Sequence, residues 1–164
     1  MITIGELMNV DPGRQFRAQM CSVSLQKVYH EIRKETLLEK IKSFFLGNSS
    51  IRAYYVIIKT SVVSDSGSKH TVLIRISPDF NTNYSRLMNN TVQLYCDCSD
   101  FKYRSAYILN SRKGLFLNDR IKINLGAALT DKPKTKTQTT YLCKHAYAAL
   151  QWLVSNYSNL IKTV

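Results

Sequence analysis

"QLYCDCSDFKYRSAYIL", residues 93–109, places Cys96 and Cys98 one residue apart, where a β-forming run gives way to a helical one. Two cysteines so close are a redox pair, packed core, or half of a site whose other half lies elsewhere. The second half is legible further on. Cys143-Lys144-His145 repeats the one-residue gap, so the chain reads C-x-C, 44 residues, then C-x-H.

Three explanations compete. Free cysteines are often buried, but simple burial does not account for two one-residue gaps at strand–helix or loop–helix junctions. A Cys96–Cys98 disulfide would be strained, and no secretion signal argues for an oxidising compartment. One tetrahedral Zn²⁺ held by Cys96, Cys98, Cys143 and His145 accounts for all four residues as an ordinary structural donor set. A turn at Asp97 lets both flanking thiols point the same way, and the first turn of a helix at Cys143–His145 favours thiolate charge. The set with zinc carries a formal charge of −1, which Lys144 and Lys102 are placed to offset. All four positions come from protein, so the metal is expected to be structural. Cys21 falls in a predicted strand and reads as core. His30 and His70 read as surface or partly buried residues, either of which would replace His145 were the pairing different.

The chain has 164 residues, enough for one domain with a real core. Its hydrophobic share of 45% and charged share of 21% suit a globular protein. No apolar run reaches membrane-spanning length and the start lacks a signal-peptide pattern, so a soluble protein of intracellular origin is expected. The net charge of +12, with pI near 9.7, favours nucleic acid or an acidic protein surface as partner.

Outward from the cysteines, residues 51–63 and 70–77 flank the turn "SDSGSK" and predict a β-hairpin, and 91–96 predicts a strand leading into Cys96. Ser99 is a candidate cap for a helix over about 100–112 ending at Gly114. "LFLNDRIKINL" predicts a short strand, "PDFNTNYSRLMNN" and "TDKPKTKTQTT" predict loops, and a last helix is expected over about 142–155. Nearer the start, residues 1–14 read as a lead-in, 15–24 as a strand, and 25–47 as a helix between Ser24 and Gly47. The fold class is α+β: an antiparallel hairpin or small sheet with helices around a zinc-stapled core. Residues 1–50 form an N-terminal strand and helix of the same domain, and 51–164 the zinc-binding region with a basic spacer at 99–142.

"VQLYCDCSDF" followed by "YLCKHAYAALQWL" resembles the SWIM zinc module over about residues 51–155. The resemblance implies Cys96, Cys98, Cys143 and His145 as ligands and Phe101 as the aromatic packed beneath the site. The long spacer opening "CDCSDFKYRSAYILN" is similar to the form found in virion structural proteins of tailed bacteriophages. That likeness implies a virion component made in the host cytoplasm, other virion proteins as partners in a multi-copy assembly, and no membrane. SWIM modules are otherwise associated with DNA or protein binding.

The spacer holds nine Lys/Arg against three Asp, half the net charge of the chain. Lys102, Arg104, Arg112, Lys113, Lys132, Lys134 and Lys136 are the candidate contacts to nucleic acid or a partner, with Tyr103 and Tyr107 among them. No nucleophile elbow, phosphate-binding glycine loop, dinucleotide fingerprint or zinc-deaminase pattern is present, so a non-enzymatic protein is expected.

Overall fold

A computed structural model describes residues 1–9, 12–32, 54–76, 84–130 and 142–161. Four strands form one antiparallel sheet in chain order: β1 Ser22–Ile32, β2 Tyr54–Val63, β3 Lys69–Ile76 and β4 Val92–Cys96. Helices α1 Ile4–Met8 and α2 Pro12–Gln19 precede it, and α3 Tyr84–Asn89 links β3 to β4. After β4 come a π-helical turn, Phe101–Ser105, and α4 Ala106–Ser111. Then follow α5 Asp119–Leu125, a 3-10 turn Gly126–Leu129, and the long α6 Lys144–Ile161. The architecture is α+β.

Strand alternation sorts the sheet into two faces. Val56, Ile58 and Val62 of β2 share one face with Val72, Ile74 and Ile76 of β3 and with Val92, Leu94 and Cys96 of β4. All nine are buried. The buried stripe of α6 packs on that face, with Ala146, Ala149, Leu150, Leu153 and Tyr157 at helical spacing. On the other face Arg75 reaches across the sheet. Its guanidinium lies 2.8 Å from Glu31 Oε2, 3.9 Å from the Tyr55 ring centroid, and donates to Gln93 Oε1 at 3.0 Å.

The hairpin and β4 stand where the sequence predicts them, and Gly67 takes the positive φ of 79° that the β2–β3 turn requires. The N-terminal elements differ. Residues 15–19 are helical, because Pro12 opens α2 at the position that tolerates a missing N–H, and Ala18 is buried. Residues 25–32, expected to start a helix, belong to β1, which pairs with β2 from Ser22↔Val63 to Ile32↔Tyr54 with a bulge between Leu25 and Lys27. The four-residue interval from Val28 to Ile32 is two strand repeats as well as about one helical turn. Pairing with β2 decides between them. The remainder of that expected helix, 33–47, lies outside the described residues.

Three further differences concern caps. Thr3 and Glu6 form a reciprocal capping box that starts α1 inside the expected lead-in. Within the expected strand at 115–125, only Leu115 pairs, in a single parallel bridge to Leu94; Asn118 Oδ1 accepts from Ile121 N at 2.8 Å and opens α5. The helix before Gly114 ends earlier, at Ser111, where Lys113 takes φ 57° and Gly114 N donates to Leu109 O at 2.7 Å. Gly114 supplies space instead: a Cβ there would run into Ile2 Cγ2. Finally, α3 occupies part of the expected loop at 78–90, and α6 runs six residues beyond its expected end.

Candidate metal centre

β4 delivers Cys96 on the buried face of the sheet, and the chain turns at Asp97 so that Cys98 starts the next helical segment. Cys143 stands immediately before α6, and His145 is in its first turn. The ligand atoms of Cys96, Cys98, Cys143 and His145 all lie within 4.8 Å of one another, and all four residues are buried. A tetrahedral site with Zn–S bonds of about 2.3 Å has sulfur–sulfur edges of about 3.8 Å, so the set needs little movement to close on a metal.

Cys98 and Cys143 do the same local job. The carbonyl of Cys98 accepts from Lys102 N at 3.2 Å and its sulfur from Phe101 N at 3.3 Å. The carbonyl of Cys143 accepts from Tyr147 N at 3.1 Å and its sulfur from Ala146 N at 3.3 Å. Each cysteine therefore caps the helical segment that follows it, with sulfur in the place of a serine oxygen. Cys98, not the expected Ser99, holds the first of these starts. An N–H aimed at sulfur favours thiolate, the form that binds metal.

The electrostatics agree. Hydrogen bonding with Cys143 and Cys96 holds the Cys98 thiol far below its ordinary range. The same shared bonding pushes Cys96 up, and burial pushes Cys143 up. Three buried thiols cannot all ionise at such short range unless a cation offsets them. His145 supplies an independent test of fit. Both ring nitrogens are buried without a hydrogen-bond partner, a costly condition that coordination through one of them relieves. The donor set fits zinc.

Around the ligands, Asp97 Oδ2 accepts from Thr71 N at 3.0 Å, Asp97 N donates to Thr71 O at 3.2 Å, and His70 Nδ1 lies 3.0 Å from Asp97 Oδ1. The His70 ring lies against that of His145. Phe101 is fully buried and meets Tyr95 edge-on at 5.9 Å, the packed aromatic that the resemblance implies.

Residues 71–108 and 138–151 match the SWIM zinc finger family. The matched segments contain all four ligands, and the buried Cys₃His cluster fits a SWIM module. The site is one for a single zinc ion. No curated protein and no solved structure gives a match.

Of the seven candidate contact residues, four lie among the described residues. Lys102 is half-buried with its ammonium 5.7 Å from the Tyr103 ring centroid, and Arg104 is exposed 3.2 Å from Asp100. Arg112 ties α4 to α1 through Glu6 at 2.6 Å, and Lys113 is exposed at the helix end. Lys132, Lys134 and Lys136 lie outside the described residues. Lys144 donates to Asp65 at 2.8 Å, which pins the start of α6 to the β2–β3 turn. Nothing in cysteine spacing pointed to His70 or Asp65, since His70 reaches the site on β3 and Asp65 on the β2–β3 turn.

Proposed function

We propose that this protein acts by contact and not by catalysis, as a zinc-stapled module that presents basic surface to the phosphates of nucleic acid. One observation carries the proposal: all four donors are protein side chains and all are buried, a closed set that leaves no position for substrate on the metal. Zinc then joins β4 and the turn after it to α6, across 44 intervening residues that carry half of the net charge. An excess of positive charge between the two halves of the site suits counterion release from a polyanion. The test is a binding series with DNA across salt concentrations, alongside elemental analysis. About one zinc per chain and a log–log salt slope of several units are expected. Affinity that is weak and independent of salt overturns the nucleic-acid reading.

The finer proposal is a structural component of a tailed-phage particle, touching DNA or neighbouring subunits, with a free nucleic-acid-binding SWIM protein as the other form. Support for the particle comes from the likeness of residues 96–110 to virion proteins and from the long basic spacer. Stoichiometric copies in purified particles, measured by mass spectrometry, are the expected result. Absence from particles leaves the free form.

A further inference from the structure

Beside the metal centre lies an open groove of about 610 Å³ where α2, the β2–β3 turn, the π-helical turn and the start of α6 meet. Arg17, Arg104 and Lys144 line it together with Asp65 and Asp100. Two of the three cations hold a carboxylate: Arg104 at 3.2 Å from Asp100 and Lys144 at 2.8 Å from Asp65. Arg17 is exposed, and its guanidinium has no ion pair among the described residues. A guanidinium has five N–H donors and an ammonium three, so the paired cations still have donors for a further anion. The zinc centre's single negative charge is shared among buried thiolates, whereas the three cations stand at the groove itself. Asp65 and Asp100 stand at the groove as well, so three cations against two carboxylates leave its lining with a net charge of +1.

The chain beside Arg104 has a second feature. Tyr103, directly before Arg104, is 67% exposed, with the Lys102 ammonium 5.7 Å from its ring centroid. An exposed aromatic with an ammonium near its ring offers a flat face to a base, and only an unpaired strand has a base free to use it.

Resting on the nucleic-acid reading above, we propose that this groove and Tyr103 form a subsite for single-stranded nucleic acid. A backbone phosphate lies among Arg17, Arg104 and Lys144, and an adjacent base stacks on Tyr103. The ligand class is therefore narrower than charge alone implies. Duplex DNA would engage the cations but not the ring.

The experiment measures binding of the zinc-loaded full chain to a labelled oligothymidylate and to a duplex of equal length, across a salt series. Wild type should prefer the single strand. Tyr103→Ala should weaken single-strand binding about tenfold and leave duplex binding unchanged, with Tyr103→Phe close to wild type. Arg17→Ala should reduce the single-strand salt slope by about 0.7. Each variant should retain its zinc and melting temperature, since neither residue is a ligand. Wild-type binding that is salt-dependent but unaffected by both substitutions overturns the subsite and spares the wider reading. No salt-dependent binding by wild type overturns both. Displacement by polyglutamate as effective as by oligothymidylate, with Tyr103→Ala silent, assigns the groove to an acidic protein and overturns the proposal.

Discussion

The imidazole of His70 lies 4.2 Å from that of His145, ring centroid to ring centroid and tilted by 39°, while its Nδ1 is 3.0 Å from Asp97 Oδ1. A carboxylate only accepts, so the proton of this bond sits on Nδ1. Asp97 thus fixes the ring of His70, and that ring walls one side of the metal-binding imidazole. The residue between the two cysteines of C-x-C therefore helps to orient the histidine of C-x-H, although the two motifs are far apart in the chain. Outer groups that orient ligands commonly change metal affinity by about 10–100-fold when removed. Here the contact is ring packing, which places His70→Ala near the lower end, at about tenfold weaker zinc binding. Competition with a chromophoric chelator measures this, and an unchanged affinity would show the stacking to be incidental.

Loss of a ligand is expected to be far more severe. Structural zinc in small domains contributes about 10–16 kcal/mol of apparent binding free energy, and an ordinary domain is stable by only about 5–15 kcal/mol. Cys143→Ser removes a ligand and also exchanges the sulfur that caps α6. It should abolish stoichiometric zinc by elemental analysis and lower the melting temperature by on the order of 10 °C or more. Full metal content and an unchanged melt would refute the ligand assignment.

Gly114 and Lys113 should respond in opposite directions. A methyl group on Gly114 would run into Ile2, so Gly114→Ala should destabilise by about 1–3 kcal/mol. Lys113 holds φ 57°, a conformation that glycine adopts more cheaply, so Lys113→Gly should stabilise by up to about 1 kcal/mol. Urea unfolding of the two variants, with zinc present throughout, checks both signs.

Two surface carboxylates give a pH dependence of known sign. Backbone hydrogen bonding at Thr3, then the Arg112 guanidinium, holds Glu6 below its ordinary value, and the Lys144 ammonium does the same for Asp65. A depressed folded value means stability that is fully present above the unfolded value and lost as pH falls through the folded one. Wild type should therefore melt above Glu6→Gln at pH 6, and the gap should close as the solution is taken below pH about 4. Because both proteins are compared at each pH, loss of zinc in acid affects them alike. A gap that widens on acidification would contradict the depressed carboxylate.

The ligand set was legible because metal coordination imposes a spacing on side-chain chemistry, and C-x-C with C-x-H shows it in one dimension. Some missed elements were legible too. Thr3-x-x-Glu6, and Asn118-Asp119 followed by Gly126, are ordinary helix boundaries. The alternation of Ile121, Ile123 and Leu125 obscured the second of these, although Ile123 is 80% exposed while its two neighbours are buried. Residues 25–32 are a different case. Their apolar intervals serve a strand and a helix equally, so the choice belongs to a partner strand about 30 residues away.

By itself the sequence determined the α+β class, the hairpin, and four zinc-binding side chains, since local alternation and donor chemistry are properties of neighbouring residues. Tertiary structure decided how β1 pairs, why Gly114 must lack a side chain, and which groups surround the metal. His70 and Asp65 come to the centre, and Arg17 to the groove beside it, on a strand, a turn and a helix that meet only after folding. Their proximity is set by sheet register and helix packing, which no spacing in the chain records.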